Sequence, residues 1–300
     1  MEFARSRQLK ADLSLTLVTL IWGATFVTVK SAVTHMQPFT FIAVRFLAAS
    51  LFLLAVSPGS LMRLNRQNLS AGLLTGLFLF AAYSFQTIGL KYTTASNAGF
   101  ITGLSVVLVP LLVALATRSW PGLFTSLGVV SATTGLALLT LGPGFSPNRG
   151  DFLVLLCAVS VALQIMAVAR FAPQHDPTVL ALVQISVVAA ASGLAALIWE
   201  PQPPVFTSEV WVGLLVTAIP ATSLAFLVQT RMQQFTTPTR TAIIFAAEPV
   251  FSAVFAYFFA GETLRPAAAL GACLILAGML LSELKPLPKQ VTQDIDMTSK

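Results

Sequence analysis

Residues 72–94, GLLTGLFLFAAYSFQTIGLKYTT, return 143 positions later as residues 215–237, LVTAIPATSLAFLVQTRMQQFTT. The shared positions include polar ones that two apolar segments would not match by chance. Gln86-Thr87 falls on Gln229-Thr230, and Thr93-Thr94 on Thr236-Thr237. Without a gap the match extends from Gly72–Leu141 onto Leu215–Leu284, where Leu127-Gly128 meets Leu270-Gly271 and Gly135 meets Gly278. Upstream the offset is 139, with Asp12 on Asp151 and Pro38 on Pro177, so one short indel after the second apolar segment separates the registers. The chain reads as two copies of one unit, residues 1–145 and 146–285. A polar tail with Pro286 and Pro288 follows at 286–300 and is expected to be disordered and cytoplasmic.

Composition fixes the medium. Apolar residues make up 56% of the 300 and charged ones 9%, more hydrocarbon than a soluble domain of this size can hide inside its own surface. The expected class is an all-α polytopic membrane protein. A spanning helix needs about 20 apolar residues, and such stretches lie at 12–34, 38–56, 70–90, 94–116, 122–141, 151–171, 177–199, 209–230, 237–260 and 265–284. That gives ten transmembrane helices, five per copy. An odd number per copy inserts the second copy upside down, which is the inverted-repeat plan of secondary transporters with a substrate site near the midplane. Channels use inverted repeats too, so architecture alone does not establish transport.

The basic residues orient the chain. Arg5, Arg7, Lys10, Arg63, Arg66, Arg118, Arg170, Arg231, Arg240, Lys285, Lys289 and Lys300 fall on the side of the termini; Lys30, Lys91, Arg149 and Arg265 fall on the other. The positive-inside rule then places both termini in the cytoplasm. The net charge of +6 is thus a topology signal. It does not form the clustered soluble patch that nucleic-acid binding needs, and no nucleic-acid partner is expected.

Two ionisable residues are read deep inside spans, Arg45 in the second and Glu248 in the ninth, where charge is costly and marks a function or a specific pairing. Their depths allow them to meet, and pairing or separation stays open at this level. Pro249 removes a backbone donor and predicts a kink that frees the carbonyl of Phe245. Thr241, Phe245, Glu248 and Ser252 recur at helical spacing on one face of the ninth helix, matched in the fourth by Ala98, Thr102, Ser105 and Val109. Further polar positions are Trp22, Tyr83, Gln86, Thr87, Ser160, Gln164, Gln229 and Thr230. Lipid offers such groups no partner, so they are expected to face a shared interior. The competing expectation is that Thr and Ser hydroxyls satisfy their own helix backbone. The candidate substrate-binding set is Trp22, Tyr83, Gln86, Thr102, Ser105, Gln164, Gln229, Phe245 and Glu248, with Arg45 and Glu248 as structural or coupling charges.

Other chemistries find no support. Cys157 and Cys273 lie inside spans and read as buried apolar thiols. His35 and His175 have no ligands at metal spacing, so no metal site is expected. No P-loop, dinucleotide fingerprint or HExxH is present, and neither a cofactor nor catalysis is expected. The pairs Gly72/Gly76 and Gly99/Gly103 read as close helix packing.

Trp22-Gly23-Ala24-Thr25-Phe26, Arg45-Phe46, Glu248-Pro249-Val250-Phe251, Gly261-Glu262, Leu270-Gly271 and Gly278 together resemble the duplicated EamA-type members of the drug/metabolite transporter superfamily, over residues 12–284. The resemblance implies a ten-helix inner-membrane exporter of amino acids and other metabolites. The first copy departs from the pattern, with Arg118-Ser119 where the second has Gly261-Glu262, and Glu262 reads as a loop or helix-end feature. The expected function is export of small metabolites, neutral or aromatic amino acids foremost, by a monomer or weak homodimer in the bilayer. The alternatives are a proton-coupled drug or organic-cation efflux carrier, and a channel or non-transporting membrane sensor.

Overall fold

A computed structural model describes residues 2–140, 148–260 and 265–283 of the chain; Gly261-Glu262 and the tail 286–300 lie outside them. The described residues form helices and turns with no strand. In order they are α1 (Glu2–His35), α2 (Pro38–Val56), a 3-10 turn (Pro58–Arg63), α3 (Arg66–Gly89), α4 (Ala95–Gly103), α5 (Ser105–Thr117), α6 (Leu123–Thr140), α7 (Arg149–Phe171) and α8 (Pro177–Trp199). There follow α9 (Ser208–Ala218), a π-helical segment (Ile219–Leu224), α10 (Ala225–Gln233), α11 (Pro238–Phe245), α12 (Glu248–Ala260) and α13 (Pro266–Glu283). Among the described residues seven continuous stretches are long and apolar enough to cross a membrane: 38–56, 66–89, 97–117, 123–140, 149–171, 177–199 and 208–233. Of the other expected spans, α1 covers 12–34, α11 and α12 divide 237–260, and α13 is a shorter apolar helix, Pro266–Glu283, within 265–284.

Helix starts follow local chemistry. Pro38 and Pro177 open α2 and α8, where a missing N–H costs nothing. Thr94 and Thr237 cap α4 and α11 by accepting from the backbone N–H of Asn97 and Arg240. Asn148 and Asp151 close a capping box at α7.

The ninth stretch breaks where Pro249 predicts, between Phe245 and Glu248. The fourth breaks in the same register without a proline. Leu104 N–H bonds Ile101 and Leu108 N–H bonds Leu104, as Ala247 N–H bonds Ile244 and Phe251 N–H bonds Ala247. The eighth is interrupted by the π segment, which carries Pro220 near its start.

Contacts along the helices fix their directions. Asp12, Trp22 and Ala32 of α1 meet Thr236, Ala221 and Gly213 in turn, so α1 runs antiparallel to α9–α10. Gly150 and Asp151 meet Gly89 and Thr93, while Val168 packs with Ala71, so α7 runs antiparallel to α3. Glu200, at the C-terminal end of α8, accepts from Phe39 N, Thr40 N and Thr40 Oγ1 at the start of α2. Gly72 and Gly76 seat against Val183 and Val187, which makes α3 and α8 parallel. On the far side α6 crosses α13 backbone to backbone: Gly128 faces the carbonyl of Gly278 and Gly135 that of Gly271, each contact returned. Outward faces carry Leu13, Leu17, Leu51, Leu115, Leu197 and Leu280, the surface a hydrocarbon solvent selects. The chain is a multi-pass membrane protein.

Three sequence expectations change. Gly99 does not pack a helix: a Cβ there would meet nothing within 4 Å. Cys273 is exposed on the outer face of α13, so only Cys157 is a buried thiol. Polar or charged Asp12 and Arg240, read at span ends, are both buried, at 3% and 5% exposure.

Candidate functional site

A cavity of about 450 Å³ opens between helices of both copies. Trp22 and Thr25 of α1, Arg45 of α2 and Tyr83, Gln86 and Thr87 of α3 line it from the first copy, joined by Thr102 and Ser105 at the α4–α5 break. From the second copy come Cys157 and Gln164 of α7, Phe226 and Gln229 of α10, and Phe245, Glu248 and Ser252 at the α11–α12 break. Every residue of the sequence-derived binding set therefore reaches one space. Thr241, Ala98 and Val109, grouped with them by helical spacing, do not line it. Each lies four residues along the same helix from a lining residue, Phe245, Thr102 or Ser105, so the cavity ends within one turn of it. The hydroxyls of Thr241, Ser160 and Thr230 bond the backbone carbonyls of Thr237, Leu156 and Phe226, as the competing expectation holds.

The aromatic wall is built around Trp22. Its indole N–H donates to the carbonyl of Ala221 at 2.8 Å, and its ring meets Phe226 at 5.6 Å and Phe245 at 5.0 Å. Tyr83 continues the wall, edge-on to Phe46 at 4.8 Å.

Arg45 crosses between the copies. Its Nε donates to Thr222 Oγ1 at 2.7 Å, and its Nη2 lies 3.4 Å from both Tyr83 Oη and the carbonyl of Ala221. The π segment explains this geometry. A π turn and Pro220 displace the ordinary i→i−4 ladder and turn backbone carbonyls outward, and Arg45 and Trp22 satisfy one of them from the facing copy. Arg45 Nη1 makes no hydrogen bond to a described residue, and no ion pair joins Arg45 to Glu248. Glu248 forms neither a side-chain hydrogen bond nor an ion pair with the described residues. Among the described residues the cavity lining thus holds one acid, Glu248, with no hydrogen bond or ion pair, and two cations, Arg45, bonded to Thr222 and Ala221, and Arg265.

A buried amide chain forms the floor. Gln164 Nε2 donates to Gln184 Oε1 at 3.2 Å, Gln184 Nε2 to Thr230 Oγ1 at 3.0 Å, and Gln229 Nε2 to both Gln164 Oε1 and Gln233 Oε1 at 3.1 and 3.2 Å. Gln229 Oε1 is buried with no hydrogen-bond partner among the described residues. Gln184 and Gln233 are absent from the sequence-derived set. The duplication carries a signal for Gln184, which stands 139 positions after Arg45; Gln233 stands opposite Leu90 and has none.

The profile of the EamA-like transporter family matches twice, over residues 9–141 and 148–284. An uncharacterized transporter from Archaeoglobus fulgidus is 36% identical over 279 residues, covering 93% of this chain and 87% of that protein. A second uncharacterized transporter from the same organism is 28% identical, over 92% of this chain and 98% of its own. The uncharacterized transporter YyaM of Bacillus subtilis is 27% identical, over 92% and 94%. A solved structure superposes with a TM-score of 0.77 at 21% identity, covering 91% of this chain and 96% of its own, which establishes likeness of fold. With both of its halves matched by one profile, this chain belongs to the EamA-like transporter family.

Proposed function

We propose that the protein is a secondary transporter that exports small zwitterionic metabolites, neutral or aromatic amino acids foremost, across a bacterial inner membrane by alternating access. Ten spans in two inverted five-helix repeats, at 1–145 and 146–285 and with cytoplasmic termini, are the frame of this reading. The double profile match, the opposed directions of α1 and α7, α2 and α8, and α3 and α9–α10, and the reciprocal α6–α13 crossing support it. The observation that carries the substrate class is an acid that makes no hydrogen bond or ion pair with a described residue and faces an aromatic wall in a cavity shared by both copies.

In this reading Glu248 holds the substrate ammonium and Arg45 Nη1 its carboxylate. The substrate side chain lies on Trp22, Phe226 and Phe245, while Gln86, Thr102, Ser105, Gln164 and Gln229 offer neutral hydrogen-bonding groups. The same unpartnered acid favours a second reading, proton-coupled efflux of an organic cation. Counterflow in proteoliposomes separates the two. Saturable exchange of labelled phenylalanine, competed by zwitterionic amino acids and not by their decarboxylated amines, is the expected result. Competition by the amines alone selects the second reading, and absence of any saturable exchange of either class refutes both.

A further inference from the structure

The cavity reaches one end of the molecule. Helix α1 is followed by a two-residue turn into α2, whose start is bonded to the end of α8, and α3 runs parallel to α8, so the C-terminal ends of α1 and α3 share that end. There the lining extends through Val29, Leu90, Leu139 and Thr140 to Arg265, which is exposed. Toward the other end it stops. Among the described residues none of α1 before Trp22, of α6 before Leu139, of α11 before Phe245 or of α13 after Ala268 borders it. At that end the helices meet in buried polar contacts: Asp12 accepts from Thr236 Oγ1, and Arg240 Nε donates to the carbonyl of Ser282, each at 3.0 Å.

The duplication gives residues at the open end counterparts at the closed one. Val29 corresponds to Val168 by the offset of 139; Leu90, Gly99 and Gly103 correspond to Gln233, Ala242 and Ala246 by the offset of 143. The four first-copy residues are half-buried and line the cavity. Val168, Gln233, Ala242 and Ala246 are exposed by 0%, 1%, 0% and 1% and do not line it. Two copies of one unit thus differ in what they expose, although they match in sequence.

Non-covalent packing closes the second copy's end. Gln233 Nε2 donates to the carbonyl of Ile165 at 2.5 Å and its Oε1 accepts from Gln229 Nε2 at 3.2 Å, bonds that Leu90 in the corresponding place cannot make. Ala242 and Ala246 pack in an apolar cluster with Leu15, Ile165 and Met279, and Val168 packs with Ala71 and Leu180. Ala242 and Ala246 are small, as Gly99 and Gly103 are, so neither end has a bulky side chain at these two positions to clear from a passage.

We propose that Val168, Gln233, Ala242 and Ala246 line a second mouth of the cavity at the Asp12 end, closed in this structure, which opens when the two copies exchange the arrangements they have here. The proposal rests on the inverted-repeat, alternating-access reading above. For two units of one fold inserted in opposite directions, such an exchange produces the same kind of opening on the other side of the membrane. The two mouths differ in chemistry. Gln233 stands where the open mouth has Leu90, and Ser282 where it has Leu139, so the second mouth offers an amide and a hydroxyl to a zwitterion leaving water.

Single cysteines at Gly99, Ala242 and Ala49 test this in a chain whose Cys157 and Cys273 are replaced by serine. Ala49 is the control, because it is fully buried and neither it nor its counterpart Val188 lines the cavity. Each variant meets an impermeant thiol reagent in sealed vesicles of both orientations. Gly99→Cys is expected to react from one face, Ala242→Cys from the opposite face, and Ala49→Cys from neither. Should Ala242→Cys fail to fold, Ala246→Cys takes its place. In the double variant Gly99→Cys/Ala242→Cys, a bulky maleimide on the first cysteine holds the first mouth open, and reaction at the second is expected to be lost. Reaction at position 242 or 246 no faster than in Ala49→Cys, or from the face that labels Gly99→Cys, overturns the proposal. So does reaction that survives the block, since both mouths would then stand open together as in a channel. Labelling is read without substrate, so its outcomes separate from those of the transport reading. Opposite-face labelling that the block removes, without phenylalanine exchange, sustains the second mouth and refutes the substrate; exchange without opposite-face labelling does the reverse.

Discussion

Gly271→Ala tests how closely the two copies are joined at α6 and α13. A Cβ built on Gly271 would press on the carbonyl oxygen of Gly135 and come within 2.6 Å of Leu139 N and 3.1 Å of Leu138 C. All three are backbone atoms, so no side chain can rotate away. To restore ordinary contact the helices must separate by about 1 Å. Overpacking of this kind costs about 1–3 kcal/mol. The separation also stretches the 2.7 Å bond from Ser131 Oγ to the carbonyl of Leu274, a further loss of about 1 kcal/mol. Alanine recovers about 1 kcal/mol of helix propensity over glycine, leaving a net destabilisation of about 1–3 kcal/mol. Gly99→Ala is the control, since its Cβ meets nothing within 4 Å and only the propensity gain remains. Denaturant titration of the purified protein in detergent, read by circular dichroism, should therefore place Gly271→Ala below the parent and Gly99→Ala at or above it. Adding Gly135→Ala to Gly271→Ala should cost less than the sum of the single effects, because both methyls fill one gap. Equal stability of Gly271→Ala and Gly99→Ala would refute the close crossing.

Glu248→Gln should leave folded yield unchanged, since no hydrogen bond or ion pair to a described residue is broken, and should abolish phenylalanine counterflow; wild-type counterflow removes Glu248 from the site. Ser105→Trp should fill the cavity and stop exchange while the protein remains abundant in membranes, and normal exchange would move the substrate elsewhere. Glu200→Ala strips the start of α2 of three accepted hydrogen bonds and should lower stability by about 2 kcal/mol in the same titration. For topology, cysteine at Val205 should react with an impermeant reagent on intact cells, and cysteine at Met62, which is 91% exposed, only after permeabilisation; the reverse pattern would invert the orientation.

The sequence by itself determined the medium, the family and most of the cavity lining. Apolar stretches that match one another at a fixed offset reveal a duplicated membrane protein, because a helix in hydrocarbon must be apolar along its whole length. Polar side chains within such stretches, from Trp22 to Glu248, point inward for the same reason, and this is why the cavity lining was legible. Pro249 announced its break through the one backbone donor it lacks. The equivalent break after Gly103 has no such mark, and neither has the π segment that receives Arg45 and Trp22. Only the tertiary structure decided that Arg45 is committed to Thr222 and Ala221 and not to Glu248, that Gln184 and Gln233 complete the amide chain, and that Asp12 and Asp151 reach hydroxyls on the opposite copy. Local periodicity gives the face of a helix a residue occupies. Its partner depends on the axial register between helices far apart in sequence, which is set by close glycine contacts such as Gly135 against the Gly271 backbone and Gly72 against the Val183 side chain.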